Sequence, residues 1–168
     1  MDIAIRRAEA YDGELVASIY NEAITDGSYA TADVEPVSAE SRVEWIRQRP
    51  QPYGVFIAED DRGRGLAWSS LSPLAIRPAF PNVAEVAVYV AGPHRQRGLC
   101  RTLLRYTLIQ ADEGPFTSIM AAIFARNTVS LKTITNAGFS ECGNLRGVTF
   151  LRGGWEDVVL VRRDTSPA

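Results

Sequence analysis

The segment from Val83 to Leu104 places a strand, a turn and a helix next to one another, which restricts the chain to folds that contain this unit. Residues 83–90 (VAEVAVYV) are small, β-branched or aromatic except for Glu85, and this pattern predicts a buried strand that carries a single charge. Burying a charge is costly unless the charge has a partner or a chemical task. Glu85 is therefore the first candidate for a functional residue.

The turn that follows, residues 91–98, leads into a helix in which leucines recur every three or four positions. Arg95, Arg97 and Arg101 crowd the start of this helix, where the helix dipole is already positive, and Asp112 and Glu113 lie at the opposite end. An anion at the helix N-terminus would account for this arrangement, since free N–H groups and arginines would both contact it. The alternative is that these arginines are solvated and only favour helix formation.

The spacing within this turn narrows the choice of anion. Residues 95–100 (RQRGLC) lack the Lys-Ser/Thr ending of a P-loop and the third glycine of a dinucleotide fingerprint, so neither ATP nor NAD is supported. They resemble the diphosphate-binding signature of the GCN5-related N-acetyltransferases, which reads Arg or Gln, two residues, Gly, one residue, then Gly or Ala. Cys100 stands at the last position and departs from that pattern.

Length and composition exclude several classes of protein. A chain of 168 residues fits one domain over residues 1–168 with a sizeable core. With 18 basic and 20 acidic residues, no general affinity for nucleic acid or membrane is indicated. Two cysteines and one histidine leave no convincing set of zinc ligands, so we expect no metal. Because no apolar run approaches the length of about 20 residues that a membrane span needs, we expect a cytoplasmic protein.

Hydrophobic periodicity predicts a mixed α/β chain. We predict strands over residues 2–7, 53–59, 66–71, 83–90, 118–124 and within 139–161, and helices over 13–24, 38–48, from 99 onward, and 127–138. Asp12 and Asn127 are the predicted N-caps of the first and last helices, and Ser41 with Glu44 has the spacing of a capping box. The proline-containing residues 72–81 are predicted to be irregular, and residues 153–157 to separate the last two strands.

The resemblance extends from near residue 1 to about residue 163, and it points to the phosphinothricin and methionine sulfone acetyltransferase branch of the GCN5-related (GNAT) superfamily. Eight spaced blocks carry it, in the order 19–24 (IYNEAI), 29–31 (YAT), 77–80 (RPAF), Glu85 with 88–90 (VYV), 95–100, Asn127 with Ser130, 138–139 (GF) and 154–158 (GWEDV). Two positions depart from the pattern: Ile134 stands where many relatives have histidine, and Leu151 where a lysine or similar polar group is common.

The resemblance implies the GNAT acyl-CoA N-acyltransferase fold, a mixed central sheet of about seven strands flanked by about four helices. It also implies acetyl-CoA as cosubstrate, in a cleft where the sheet opens beside Val88 and Val90, whose backbone would pair with the pantetheine arm. The other residues that it implies for acetyl-CoA are Tyr89, Arg95, Gln96, Arg97, Gly98, Leu99, Cys100, Arg101, Asn127 and Ser130. For Asn127 a plain helix cap is the simpler role.

Glu85 matches the position of the family's general base. Acetylation needs a neutral amine, so a group must accept the proton of the ammonium ion, and partial burial would raise the pKa of Glu85 toward a useful range. The alternative is a carboxylate in a salt bridge. Arg77, Phe80, Tyr29 and Thr31 are the predicted substrate contacts; Arg77 would hold a carboxylate, although a surface arginine and ordinary loop packing are open alternatives.

These observations predict an acetyl-CoA-dependent N-acetyltransferase that acts on a small-molecule amine, such as an amino acid, phosphinothricin, methionine sulfone or methionine sulfoximine. Alternatives are a peptide or aminoglycoside acetyltransferase on the same scaffold and a non-catalytic acyl-CoA-binding module. We also expect a homodimer, with no nucleic-acid or membrane partner.

Overall fold

The computed structural model describes residues 3–74 and 82–165, which form one seven-stranded sheet and four α-helices. The strands are β1 (Ala4–Arg7), β2 (Gly54–Glu59), β3 (Gly65–Pro73), β4 (Val83–Val90), β5 (Ser118–Phe124), β6 (Ser140–Leu151) and β7 (Gly154–Asp164). The helices are α1 (Gly13–Thr25), α2 (Ala39–Arg47), α3 (Leu99–Asp112) and α4 (Thr128–Asn136). The mixed sheet and the helices confirm the predicted fold class.

The strands lie in the order β1-β2-β3-β4-β5-β7-β6. Neighbouring strands are antiparallel except for β4 and β5, which run parallel and are joined by α3. A parallel pair needs a long crossover, and the predicted strand-helix-strand unit around residues 83–124 supplies it. The N-terminus of α3 is thereby placed beside the end of β4.

The helices cover both faces of the sheet. On one face, Leu103 and Leu104 of α3 belong to the same buried cluster as Ala84 and Val86 of β4. On the other face, α1 and α2 enclose a second cluster that contains Trp68 of β3. Because successive side chains of a strand point to opposite faces, Glu85 lies on the α1–α2 face, between Ala84 and Val86.

Two predicted caps are wrong in detail. Asp12 makes no side-chain cap bond to α1; its two carboxylate oxygens instead accept hydrogen bonds of 2.7 Å from the guanidinium of Arg6. Two parallel hydrogen bonds between a guanidinium and a carboxylate are stronger than one bond from a backbone N–H to the carboxylate, so Arg6 takes the Asp12 side chain. In the second helix Ser38 is the N-cap and accepts from the N–H of Ser41 at 3.1 Å, which leaves Ser41 inside the helix.

Two strand boundaries also differ from the prediction. β3 continues through Ser72 to Pro73. The Pro73 nitrogen faces away from β4, toward the side of the sheet occupied by β2. Because β2 does not extend beyond Gly54 at this edge, no hydrogen bond to β2 is lost at Pro73. The last hairpin turns at Arg152 and Gly153 alone, both of which have positive φ (55° and 82°), as a two-residue hairpin loop requires. Residues 154–157 therefore belong to β7 and not to the turn.

Candidate active site

The central strands β4 and β5 pair over only part of their length. The parallel register joins Val83–Glu85 to Ser118–Met120. Beyond that point β4 stays paired with β3 as far as Val90, and β5 stays paired with β7 as far as Phe124. The described strands therefore diverge after Glu85 and leave a cleft between residues 86–90 and residues 121–124.

The alternation of antiparallel hydrogen bonds determines which backbone groups of β4 face this cleft. Ala91 donates to Leu66 at 3.0 Å and Leu74 donates to Val83 at 3.4 Å, so the odd-numbered residues of β4 bond to β3. The N–H and C=O groups of Val88 and Val90 consequently point toward the cleft. An extended chain could add to this edge as a strand would, which is the geometry predicted for these two residues.

Glu85 occupies the last paired position before the cleft opens. It is half-buried, and desolvation raises the pKa of its carboxyl group above the ordinary value of 4.5. The charge of Arg49 acts in the opposite direction on this pKa, but no described arginine lies within ion-pair distance of Glu85. A carboxylate that is desolvated and not paired is suited to accept a proton.

The turn before α3 has the open backbone that an anion site needs. Gln96 and Gly98 both have positive φ, 61° and 82°, and no described residue other than the two chain neighbours of Gly98 has an atom within 4 Å of the place where a Cβ of Gly98 would stand. Gly98 is the N-cap of α3 and has no side chain to satisfy the first N–H groups of the helix. The N–H groups of Leu99, Cys100 and Arg101 thus remain available to an anion, and binding of a diphosphate by this turn stays a prediction.

Arg95 has a role that its sequence position did not indicate. Its Nε donates to the carbonyl of Val90 at 3.0 Å, and its Nη1 forms an ion pair of 2.5 Å with Asp26. The backbone N–H of Gly92 is held in a similar way by the Glu22 carboxylate at 2.7 Å. Arg95 therefore anchors the turn to the end of α1, and its contact with a phosphate stays a prediction.

The other predicted side chains of this turn differ in what they offer. Arg97 and Arg101 are exposed, as is Gln96, and the described residues give neither arginine an ion pair. Leu99 is buried in the core, so only its backbone could contact a ligand. Cys100 is half-buried, and desolvation raises the pKa of its thiol. Two exposed cations next to free N–H groups are compatible with an anion site, and contact of these residues with acetyl-CoA stays a prediction.

Asn127 is an N-cap, as the simpler interpretation held, and it also holds a loop. Its Oδ1 accepts from the N–H of Ser130 at 3.0 Å, while its Nδ2 donates to the carbonyl of Tyr29 at 3.2 Å. Tyr29 has a positive φ of 52°, and its ring packs edge-on against Phe124 of β5. The structure thus brings residues 29, 124 and 127 together at the β5 side of the cleft.

Thr31 and Tyr89 meet in a buried network that closes residues 28–33 onto the sheet. The Thr31 hydroxyl lies 2.6 Å from the hydroxyl of Tyr20, which donates to Asp33 at 2.6 Å. Tyr89 donates to the carbonyl of Ala30 at 3.2 Å, and burial raises the pKa of its phenol. These contacts fit the loop-packing alternative; substrate contact by Thr31 and cofactor contact by Tyr89 stay predictions.

Two predicted substrate contacts, Arg77 and Phe80, lie outside the described residues. In their place the structure reveals Arg49, whose Nε donates to Ser72 at 2.9 Å, directly across the strand pair from Glu85. Sequence reasoning missed Arg49 because it follows α2 in a Pro-flanked segment that carries no motif. A second missed contact is the ion pair of 2.6 Å between Arg126 and the buried Glu156.

Residues 3–74 and 82–165 contain no group of three or more His, Cys, Asp or Glu side chains that could hold a metal ion. In the same residues no helix is both long and apolar enough to cross a membrane.

Comparison with known proteins identifies the family. The family model described as Acetyltransferase (GNAT) family matches residues 12–139. This chain belongs to the GNAT acetyltransferase family. Among its relatives, this acetyltransferase is 35% identical to the Bacillus subtilis protein YwnH, named as a candidate phosphinothricin acetyltransferase, over 98% of the chain and 100% of the relative. It is 27% identical to the L-methionine sulfoximine/L-methionine sulfone acetyltransferase of Pseudomonas aeruginosa, over 99% and 97% of the two chains.

A solved structure supports the same fold. The acetyltransferase superposes with a TM-score of 0.92 on the GNAT superfamily phosphinothricin acetyltransferase from Sinorhizobium meliloti, solved in complex with acetyl-CoA. The match covers 100% of this chain and 94% of the other, at 23% identity, and at that level it shows the fold. The predicted family and fold are thereby confirmed.

Proposed function

We propose that this enzyme transfers the acetyl group of acetyl-CoA to the amine of an amino acid or a close analogue, such as phosphinothricin, methionine sulfone or methionine sulfoximine. The observation that carries the proposal is the position of Glu85, a desolvated carboxylate at the point where β4 and β5 separate. The names of the two relatives given above refer to substrates of this kind. The cofactor bound in the Sinorhizobium meliloti structure supports acetyl-CoA as the donor.

In this proposal the protein binds acetyl-CoA through its backbone. The diphosphate would lie on the N–H groups at the start of α3, with Arg97 and Arg101 beside it, and the pantetheine arm would pair with the cleft-facing groups of Val88 and Val90. The Val90 carbonyl already accepts from Arg95, which leaves its N–H for this purpose. Acetyl-CoA supplies an acyl group on a good leaving group.

Glu85 would accept the proton of the substrate ammonium ion, directly or through one water. The neutral nitrogen then forms the N–C bond with the acyl carbon, the C–S bond breaks, and the thiolate takes up the second proton, which the nitrogen loses as it becomes an amide. The first proton passes from Glu85 to water. A thiolate with a pKa comparable to that of cysteine, near 8.5, leaves without a dedicated acid. The reaction therefore needs one proton acceptor and one correctly oriented acyl donor. Glu85 is the candidate acceptor, and the turn before α3 with the open edge of β4 is the candidate site for the acyl donor.

The proposal is tested by incubating purified protein with acetyl-CoA and a panel of amines, with free thiol measured by colour and the products by mass spectrometry. Acetylation of methionine sulfone or phosphinothricin is expected. Acetylation of peptides or aminoglycosides alone would favour the alternative substrate classes. Binding of acetyl-CoA with no thiol release for any amine would instead indicate a non-catalytic acyl-CoA-binding module.

We also propose that the enzyme is a homodimer in which a second copy covers the hairpin of β6 and β7. Leu145, Val148, Phe150 and Trp155 on this hairpin expose 42%, 51%, 59% and 66% of their surface. Exposed apolar residues in such a group are typical of protein interfaces, and the rings of Phe150 and Trp155 already contact each other, with centroids 5.4 Å apart. A cytoplasmic location stays a prediction of the sequence.

Sedimentation velocity tests the dimer. The wild-type chain is expected to sediment as a dimer, and the double variant Phe150→Ser/Trp155→Ser as a folded monomer. Val129→Ser on α4 is the matched control, because Val129 is also exposed (76%) but lies outside the hairpin. A monomeric wild-type protein, or an equal effect of the control, would contradict the proposal.

A further inference from the structure

Two arginines on the Glu85 side of the sheet are desolvated and lack an acidic partner. Most half-buried arginines of the described chain are paired, such as Arg6 with Asp12 and Arg163 with Asp112. Arg42, in α2, is buried, and Arg49, just after α2, is half-buried; residues 3–74 and 82–165 offer neither of them an ion pair. Taking a cation out of water without an anion beside it is unfavourable, so the burial of these two arginines requires an explanation.

Arg49 is held rigidly beside Glu85. Its guanidinium lies 3.9 Å from the centre of the Trp45 ring, its Nη1 donates to the carbonyl of Trp45 at 2.7 Å, and its Nε donates to Ser72 at 2.9 Å. Ser72 and Glu85 face each other across β3 and β4, and their Cβ atoms are therefore on the order of 5 Å apart, on the same face. The Nη2 group of Arg49 has no hydrogen-bond partner among the described residues.

Arg42 adds a second positive charge to the same place. Its guanidinium lies 4.2 Å from the centre of the Tyr20 ring and 5.0 Å from that of Trp45, the ring on which Arg49 also stacks. Its Nε is buried and has no partner among the described residues. Burial and the charge of Arg42 lower the pKa of Arg49 to about 10, so Arg49 remains a cation near neutral pH.

The nearby carboxylates, Glu85 and the Asp33 that accepts from Tyr20, form no ion pair with Arg42 or Arg49 in the described part of the chain. Glu85 is the only carboxylate whose charge acts on Arg49 in the described part of the chain, and it lies beyond ion-pair distance. Residues 75–81 (AIRPAFP), which connect β3 to β4, contain no acidic residue and add only the cation Arg77. An anion is thus missing at the place where an amine would meet its base.

We propose that Arg49, supported by the charge of Arg42, binds the anionic group of the amine substrate beside Glu85. This inference rests on the proposed function and deepens it. A carboxylate, phosphinate or sulfonate would accept a hydrogen bond from the free Nη2 of Arg49 and would be attracted by the positive charges of both arginines. The ammonium ion of the substrate would then lie at Glu85. An amino acid carries both groups a few ångströms apart. A polycationic aminoglycoside would be repelled by the same two arginines.

The test compares methionine sulfone with its carboxamide, which keeps the amine and lacks the negative charge. Arg49→Met is expected to lower kcat/KM for the acid by about 30-fold or more, mainly through KM, and for the amide by less than about threefold. Arg49→Lys keeps the charge but loses the stacked fork, so an intermediate loss is expected. The KM for acetyl-CoA should remain unchanged in both variants.

Arg47→Met is the matched control, since Arg47 is an exposed arginine in the last turn of α2. It is expected to leave both substrates unaffected. Ser72→Ala, which removes the hydroxyl that orients Nε, should lower the acid-to-amide preference in the same direction by a smaller factor. If Arg49→Met does not fold, Ser72→Ala and Arg49→Lys decide the question.

Three results would overturn the inference: no preference of the wild type for the acid, equal losses for acid and amide in Arg49→Met, or loss of the preference in Arg77→Met with Arg49→Met unaffected. A wild-type protein that acetylates no amine at all would instead remove the proposed function. The two failures are therefore distinguishable in one set of assays.

Discussion

The two halves of β4 differ in whether the edge that faces β5 is paired. Residues 83–85 pair with β5, and residues 86–90 leave the corresponding groups open, although both halves pair continuously with β3 on the other side. Composition does not distinguish them, since both consist of small, branched and aromatic residues apart from Glu85. The difference arises because β5 follows β7 away from β4. A functional cleft can therefore be made by strand divergence alone, with the one charged residue at its boundary.

Replacing the boundary residue should have the largest effect. Glu85→Gln keeps the shape of the side chain and removes its ability to accept a proton, so kcat is expected to fall by about 10²–10⁴. The KM for acetyl-CoA should be unchanged. The thermal midpoint should be equal to that of the wild type or higher, because the variant no longer has to bury a charge. Steady-state kinetics with methionine sulfone and thermal unfolding measure these quantities. Turnover equal to the wild type would show that Glu85 is not the base.

Proline substitutions at two neighbouring positions of β4 compare the edge that pairs with β3 with the edge that faces the cleft. The N–H of Ala87 faces β3, so Ala87→Pro should cost about 3 kcal/mol of the free energy of unfolding or more. The N–H of Val88 faces the cleft, so Val88→Pro should be less destabilising but should raise the KM for acetyl-CoA about tenfold. Chemical denaturation and kinetics at varied acetyl-CoA concentration measure the pair. Equal destabilisation by both variants would contradict the assigned hydrogen-bond alternation.

The pH dependence of kcat and of stability tests how burial affects the pKa of Glu85. Desolvation raises the pKa of Glu85 above 4.5, and only the ionised form accepts a proton, so kcat should rise about tenfold per pH unit until the pH passes this raised pKa. Arg49→Met should move that limb to higher pH, because Arg49 lowers the pKa of Glu85. The folded state holds this proton more tightly than the unfolded state. Wild-type stability relative to Glu85→Gln should therefore decrease as pH rises from about 4.5 through the folded pKa.

The elements of the fold were predictable because their signals are local. Leucine periodicity located α3, the run around Glu85 located β4, and Asn127 marked the start of α4. The failures came from contacts between separate elements, which the pattern within one element does not report. Asp12 was read as a cap, but Arg6 on the neighbouring strand takes its carboxylate. Pro73 was read as a strand breaker, but its nitrogen faces an edge that β2 has already left.

The candidate site was predictable only where a motif spans it. Glu85, Gly98 and Val88 lie where the sequence indicated, because strand alternation and turn chemistry govern them. Arg49 has no motif, and its proximity to Glu85 depends on the packing of α2 against β3, which no local pattern encodes. Thr31 looked free to contact a substrate, yet its hydroxyl is bonded to Tyr20, a contact that appears only once α1 is packed.

The bonds of Arg95 have a practical consequence for redesign of the acyl donor. A library that randomises the turn before α3 in order to change donor preference would, at position 95, remove a brace between that turn and the end of α1. The brace ends at Asp26, a few residues before Tyr29, so a change meant for the donor would disturb the loop on the acceptor side. Selection experiments should treat positions 26 and 95 as one unit and diversify positions 96, 97 and 101 independently.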